Sequence, residues 1–156
     1  DIIETQRTEL NYFIKGIINE WKVQKEAKNN IVLLSSKPQV FVEINAEKFQ
    51  RVMDNLITNA LKFSKNNSKI EIYISTKNNL AVIEVRDYGM GIPADMLPHI
   101  FERFSKARRP GVRGEQSTGL GLSISRQIIE NHQGTIDVAS EEKKGSSFTI
   151  QLPLEE

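Results

Sequence analysis

The segment from Ala46 to Ser64 constrains the fold most, because its apolar residues recur at helical spacing along one continuous stripe. The residues of the stripe are Phe49, Val52, Met53, Leu56, Ile57, Ala60 and Leu61. Asn55 and Asn59 are four residues apart, so we expect them to lie side by side on one flank of the stripe. A helix with such a face needs a layer to pack against, which favours a helix-on-sheet fold.

Two alternating runs predict part of that sheet. Residues 70–74 and 80–87 alternate apolar and polar side chains, and the polar segment 76–79 joins them as a hairpin. Because side chains alternate between the two faces of a strand, Asp87 falls on the same face as Ala81, Ile83 and Val85. A carboxylate at the end of a core-facing row requires a partner.

The rest of the chain completes a two-layer plan. The further elements expected are a helix from residue 10 to before Asn29, a short strand pair at 31–34 and 40–44, an amphipathic helix over 94–104, a loop over 105–118, a helix opening at 118–121, and strands near 135–139 and 147–152. We therefore predict an α/β (α+β) two-layer sandwich in which about three helices cover one face of a mixed, mostly antiparallel sheet.

Composition excludes several classes of protein. The chain has 156 residues and no cysteine, so disulfides, thiolate metal sites and a cysteine nucleophile are ruled out. A formal net charge of +1 gives no general attraction to nucleic acid or membrane surfaces. We predict one domain over 10–156, with residues 1–9 ending a connection from a preceding part of a longer protein.

Three polar features suggest nucleotide chemistry. Asp87 precedes Gly89 and Gly91, which allow the backbone to come close to a flat ring. Its carboxylate could accept a hydrogen bond from the amine of adenine. The commoner interpretation of such a motif is a plain turn that leaves a strand. The Asn59 amide oxygen is a suitable Mg²⁺ ligand, and Lys62 lies one turn away as a candidate phosphate contact. Capping or surface roles remain open for both.

A glycine-rich turn at a helix start offers an anion site. Gly119 and Gly121 lie where free backbone amides would point toward the preceding loop, and the spacing matches neither a Walker loop nor a Rossmann fingerprint. The loop before the turn concentrates basic residues, which are Arg103, Lys106, Arg108, Arg109 and Arg113. A solvated basic face is the alternative interpretation of that cluster.

Taken in order, four segments resemble the boxes of the catalytic, ATP-binding domain of bacterial sensor histidine kinases. They are residues 54–64, 87–93, 100–104 and 118–124, and the similarity runs from about residue 10 to residue 153. The resemblance implies a Bergerat-type fold, with ATP between helices and sheet under a mobile lid at about residues 104–118.

The resemblance also implies roles for individual residues. Asn59 would ligate Mg²⁺, Asp87 would hold the adenine amino group, Asn55 and Lys62 would approach the phosphates, and Phe63 would flank the base. The catalytic set implied is Asn55, Asn59, Lys62 and Lys106. The remaining nucleotide contacts implied are Gly89, Gly91, Ile92, Phe104, Lys106, Arg108, Thr118, Gly119, Leu120, Gly121 and Leu122.

The acceptor histidine of this family lies on a separate dimerisation domain. Neither His99 nor His132 has the family's acceptor context. The resemblance therefore implies a cytoplasmic, monomeric donor domain with ATP and Mg²⁺ as cofactors. Its partners would be the dimerisation domain and a downstream response regulator, with no nucleic acid and no direct membrane contact. The parent protein is either soluble or membrane-anchored.

Two other functions remain as alternatives. Related Bergerat-fold ATPases carry a general-base glutamate where this chain has Asn55, which cannot take a proton, so we expect negligible intrinsic ATPase activity. A nucleotide-binding module without phosphoryl transfer would keep the same ligand residues. Asn45 stands where the family commonly has aspartate, a change expected to affect only helix capping.

Overall fold

The computed structural model describes residues 2–23, 30–104, 109–115 and 121–155. In chain order the elements are β1 (Gln6–Glu9), α1 (Leu10–Val23), β2 (Asn30–Ser35), β3 (Phe41–Ile44), α2 (Ala46–Lys62), β4 (Lys69–Lys77), β5 (Leu80–Asp87), α3 (Gly121–Asn131), β6 (Thr135–Glu141) and β7 (Gly145–Pro153). A 3₁₀ turn covers Leu97–His99. Across the described ranges, no helix combines the length and apolar character needed to cross a bilayer.

The main sheet has five strands in the order β2-β4-β5-β7-β6. Only the β2–β4 pair is parallel, while β4–β5, β5–β7 and β6–β7 are antiparallel. The chain between β2 and β4 contains α2, because parallel neighbours need a long crossover connection. The predicted sandwich and the mixed, mostly antiparallel sheet are confirmed.

The core forms between the helices and one face of the sheet. The predicted stripe on α2 is buried from Phe49 to Ala60. The cross-strand pairs Ile72–Val85 and Ile83–Ile150 lie in the facing layer, and all four side chains are buried. Area burial of this kind contributes roughly 1.5–3 kcal/mol for each large apolar side chain, so this packing stabilises α2 on the sheet.

The predicted strand pair at 31–34 and 40–44 is wrong. Both segments are strands, but β2 joins the main sheet next to β4, and β3 pairs with β1 in a separate two-stranded sheet. Residues 6–9, expected to belong to a connection, supply β1. Short apolar strands carry no signal for their partner, since pairing is decided by tertiary packing.

The amphipathic helix predicted over 94–104 is also wrong. Hydrogen-bonded turns and the 3₁₀ turn replace it, with backbone bonds such as Met96 N–H to Pro93 O (2.9 Å) and Glu102 N–H to His99 O (3.1 Å). Pro98 lies inside the segment and lacks the N–H that a continuous helix uses. Ile100 and Phe101 still pack on the core.

Candidate functional site

Asp87 lies at the end of β5 on the face of the sheet that points into the core. Side chains along β5 alternate between partly and fully buried, and Asp87 follows that alternation with only 4% of its surface exposed. In the register it lies opposite Ile70 on β4 and Ser146 on β7. The period-two prediction for Asp87 is therefore confirmed, and it places a carboxylate inside the fold.

The Asp87 carboxylate has local donors that only partly offset its burial. Burial raises the pKa of Asp87 to about 6, while the backbone N–H groups of Gly89 and Ser146 and the nearby Arg109 cation act in the opposite direction. The Gly89 N–H donates to Oδ1 at 2.9 Å. A carboxylate that still titrates near neutral pH retains acceptor capacity for a further donor.

Gly89 allows the turn after Asp87 to pack on the end of α2. A Cβ atom at position 89 would lie 2.1 Å from the carbonyl oxygen of Phe63. The same carbonyl accepts a hydrogen bond from Met90 N–H at 3.0 Å. The glycine is therefore required first by the protein's own backbone, and it lets the turn that follows Asp87 pack against Phe63.

The β6–β7 hairpin closes the other side of this turn. Gly91 has φ 68°, and a Cβ there would lie 2.1 Å from Glu141 O. Gly145 has φ 123°, and a Cβ there would lie 2.1 Å from Asp87 O. Ile92 is buried and donates its N–H to Ser140 Oγ at 2.8 Å.

Gly145 and Ser146 are parts of the site that sequence reasoning missed as site residues. Ser146 lies opposite Asp87 in the β5–β7 register and its N–H is one of the carboxylate's donors. A turn at 143–145 leading into a strand was visible in the sequence. What was lacking was the pairing of that strand with β5, which would have aligned Ser146 with Asp87.

Asn55 links α2 to the start of α3. Its Nδ2 donates to Gly121 O at 3.4 Å and to Ser125 Oγ at 3.2 Å. Asn59 lies one turn further along α2 and is half-buried. Leu122 is half-buried and packs against the core. The structure thus brings Asn55 and the start of α3 together.

Lys62 and Phe63 end α2 next to the Asp87 turn. Burial lowers the pKa of Lys62, and the Glu115 carboxylate acts against that shift. The Lys62 Nζ atom lies 5.8 Å from the centroid of the Phe63 ring. The Lys62 carbonyl accepts a hydrogen bond from Val112 N–H at 2.9 Å, so the segment 109–115 packs on this end of the helix.

Two arginines of that segment contact the end of α2 or the turn after Asp87; the sequence placed both in the basic cluster without giving either a role in the site. The Arg109 guanidinium lies over the Phe63 ring, with Cζ 4.4 Å from the centroid, and its Nη2 donates to Gly91 O at 2.6 Å. Arg113 donates to Ser64 O at 2.9 Å and to Leu61 O. A basic residue that binds the last carbonyls of a helix stabilises its C-terminus.

The remaining predicted residues are Phe104 and five residues that the structure does not describe. Phe104 is 61% exposed and has φ 51°, an unfavourable conformation for a bulky side chain. Five predicted residues lie outside the described part of the chain: Lys106, Arg108, Thr118, Gly119 and Leu120. Of the lid predicted over 104–118, Phe104 and residues 109–115 are described, whereas residues 105–108 and 116–118 lie outside the described part of the chain.

The side chains present fit a magnesium ion that is carried by phosphate. No cluster of three or more His, Asp or Glu side chains suited to a metal occurs in the described segments. Asn59 offers one amide oxygen beside Asn55, and Mg²⁺ characteristically binds through one or two protein oxygens together with water and substrate phosphates. The donor set therefore suits an ion that arrives with a nucleotide.

Comparison with known proteins gives consistent results along the chain. The sequence model of the histidine kinase-, DNA gyrase B- and HSP90-like ATPase family matches residues 44–156. The sensor protein kinase WalK of Staphylococcus epidermidis is 36% identical over 159 residues, covering 99% of this chain and 26% of that protein. WalK of Staphylococcus aureus is 35% identical over 158 residues, covering 99% of this chain and 38% of that protein.

A solved structure matches at the level of the fold and of the sequence. The catalytic domain of histidine kinase ThkA, in a nucleotide-free form, has a TM-score of 0.82 at 27% identity, covering 97% of this chain and 98% of that chain. The predicted resemblance to sensor histidine kinase catalytic domains is confirmed. The chain spans between about a quarter and two fifths of the WalK proteins that it matches.

Proposed function

Since this chain belongs to the family of histidine kinase-, DNA gyrase B- and HSP90-like ATPases, we propose that it passes the γ-phosphate of Mg-ATP to a histidine on a separate dimerisation domain. The acceptor would belong to the same parent protein, in the cytoplasm, where ATP is available. The phosphate would then move to a response regulator.

One observation carries the proposal. The buried carboxylate of Asp87 and the asparagine-bearing flank of α2 converge, because the turn after Asp87 packs through Gly89 onto Phe63 at the end of that helix. A base held at Asp87 would therefore have its phosphates directed along α2 toward Lys62, Asn59 and the first turn of α3.

Each side chain contributes a distinct function in this mechanism. Asp87 accepts a hydrogen bond from the exocyclic amine of adenine, and Phe63 offers a π face to the base. Lys62 neutralises phosphate charge, and the Asn59 Oδ1 atom would hold Mg²⁺, which supplies electrostatic stabilisation of the transferring phosphoryl group. Phosphoryl transfer has a loose transition state, so positioning and charge neutralisation account for most of the catalysis.

The chemistry of Asn55 favours transfer of the phosphoryl group to an amino acid over hydrolysis of ATP. Its amide is bonded to Gly121 O and Ser125 Oγ, and an amide does not deprotonate water. Histidine kinase ThkA has been crystallised in complex with response regulator protein TrrA. By analogy we propose a response regulator as the downstream partner of the parent protein.

The test is phosphoryl transfer in trans. The domain is mixed with the histidine-bearing dimerisation domain of the parent protein and γ-labelled ATP, and label on the histidine is measured. We expect Asn59→Ala to reduce transfer at least about 100-fold, because one Mg²⁺ ligand and its positioning are lost. Thr58→Ala, on the exposed neighbouring position of α2, is the matched control and should transfer normally.

Two results would contradict the proposal. Unlabelled histidine in the presence of tightly bound ATP would identify a nucleotide-binding module without transfer. ATP turnover by the isolated domain at the rate of a gyrase-type enzyme, abolished by Asn55→Ala, would identify a hydrolase instead.

A further inference from the structure

The place expected to receive adenine holds a side chain of the protein itself. The Arg109 guanidinium lies with Cζ 4.4 Å from the centroid of the Phe63 ring, the aromatic face expected to flank the base. Its Nη2 atom donates to Gly91 O at 2.6 Å, in the turn that follows Asp87. Arg109 and a bound purine would therefore compete for the same aromatic face.

The charge environment explains why a half-buried cation is tolerated there. Burial disfavours the charged form of Arg109, whereas the carboxylates of Asp87 and Glu142 favour it. Together with Gly91 O and the Phe63 π face, they surround the guanidinium with acceptors and negative charge. The Arg109 guanidinium therefore occupies, as part of the same chain, a site that could bind a planar cationic or N–H-bearing group.

Guanidinium and adenine share the features that such a site recognises. Both are planar, so both can cover the Phe63 ring, and both present N–H groups toward Asp87 or the neighbouring carbonyl. We propose that Arg109 fills the base subsite when nucleotide is absent and must leave it before adenine binds, so that Arg109 sets the affinity for ATP. This inference rests on the proposed function of the site.

The segment that carries Arg109 does not have to detach for this exchange. Arg113 binds Ser64 O and Leu61 O at the end of α2, and Val112 N–H binds Lys62 O at 2.9 Å. Gly111 N–H binds Glu115 O at 3.0 Å. The base of the segment is therefore anchored independently, and displacement needs a change only at Arg109.

The first test measures nucleotide affinity by calorimetry with ADP and with a non-hydrolysable ATP analogue. We expect Arg109→Ala to bind both nucleotides about tenfold more tightly, because the apparent affinity is lowered by the fraction of sites that Arg109 occupies. The gain should be equal for the two, since the competition concerns the base. Arg7→Ala, which removes an arginine packed over Phe41 on the small sheet, should leave affinity unchanged.

Unchanged or weaker binding in Arg109→Ala would overturn the inference. Weaker binding that is more pronounced for the triphosphate would show instead that Arg109 contacts phosphate. Absence of nucleotide binding in both the unmodified protein and the variant would refute the proposed function rather than the placement of Arg109.

A second measurement tests that placement without nucleotide. Carbon-detected NMR follows the titration of the Asp87 carboxyl group in the unmodified protein, in Arg109→Ala and in Arg7→Ala. Since Arg109 favours the ionised form of Asp87, its removal should move the Asp87 midpoint to higher pH, whereas Arg7→Ala should not. Identical midpoints in all three proteins would overturn the inference.

Discussion

The two ends of α2 use buried polar groups in opposite ways. At the N-terminal end, Asn45 Oδ1 accepts from Lys48 N–H at 3.0 Å and so caps the helix, while its Nδ2 donates to Glu4 O at 3.0 Å, a contact beyond the expected capping role. The His132 Nε2 atom accepts from Asn45 N–H at 3.1 Å, and its Nδ1–H donates to Ile128 O at 2.8 Å. Both ring nitrogens of His132 are thus satisfied in the neutral tautomer.

The C-terminal end holds groups whose charged forms are opposed by burial. Burial raises the pKa of Asp87 to about 6 and lowers the pKa of Lys62. At the other end burial also lowers the pKa of His132, but there the neutral form is the one that makes the hydrogen bonds. The buried polar groups at the N-terminal end of α2 therefore stabilise the fold. Those at the C-terminal end lower its stability at neutral pH but are suited to binding a ligand.

The largest effect expected concerns the packing of the C-terminal end. Gly89→Ala would bring a Cβ to 2.1 Å from Phe63 O, so the turn after Asp87 must shift. We expect the free energy of unfolding, measured in urea, to fall by about 3 kcal/mol or more. Gly121→Ala is the control, since a Cβ at that position would meet no atom of the described residues within 4 Å, and its effect should stay within about 1 kcal/mol. Equal effects at both glycines would contradict the close packing.

The second largest effect expected is a pH dependence of the free energy of unfolding that arises from Asp87 at the C-terminal end of α2. Asp87 has a pKa raised from 3.8 to about 6, so the folded state binds more protons in that interval. The contribution of Asp87 to the free energy of unfolding is therefore greatest below pH 3.8 and is lost as the pH rises through about 6. Relative to Asp87→Asn, the unmodified protein should lose about 2 kcal/mol of unfolding free energy between pH 4 and pH 7.

The same substitution should impair the site. Since a hydrogen bond to a charged group contributes about 1.5–3 kcal/mol, Asp87→Asn should weaken ATP binding roughly 10- to 100-fold. Parallel pH profiles of unfolding, together with unchanged ATP affinity, would contradict both the burial argument and the base-binding role.

The smallest effect expected is a pH dependence of the free energy of unfolding that arises from His132 at the N-terminal end of α2, and its direction is opposite to that of Asp87. His132 has a pKa below its usual 6.5, so its contribution is present above pH 6.5 and is lost as the pH falls. Protonation removes the acceptor for Asn45 N–H. Relative to His132→Gln, the unmodified protein should lose about 1 kcal/mol of unfolding free energy between pH 7.5 and pH 5, the net contribution of one hydrogen bond. An advantage that grows on acidification would contradict this assignment.

The sequence predicted best those features that depend on local periodicity. The α2 stripe and the buried position of Asp87 follow from periods of 3.6 and two, so both were available without tertiary information. The partner of β2 could not be predicted in this way, because β3 and α2 intervene before β4 and nothing in the residues of β2 specifies that neighbour. Composition likewise indicated a basic cluster, yet it could not distinguish Arg109 from its neighbours.

The glycines illustrate the same limit at the site. The sequence singled out Gly89 and Gly91 and suggested that they allow close approach to a flat ring. The structure shows each of them first in contact with protein backbone, at Phe63 O and Glu141 O. Such contacts join segments that are distant in the chain, and only the assembled fold reveals them.

The anchoring of residues 111–115 to the end of α2 also decides how Arg109 competes. Only Pro110 separates Arg109 from Gly111, so its guanidinium stays within a few residue lengths, about 3.5 Å each, of the base subsite. Its effective concentration at Phe63 is fixed by this short tether and does not fall when the protein is diluted. Occupancy of the subsite by Arg109 is therefore independent of the protein concentration, and the nucleotide concentration at half-saturation is a property of the single chain.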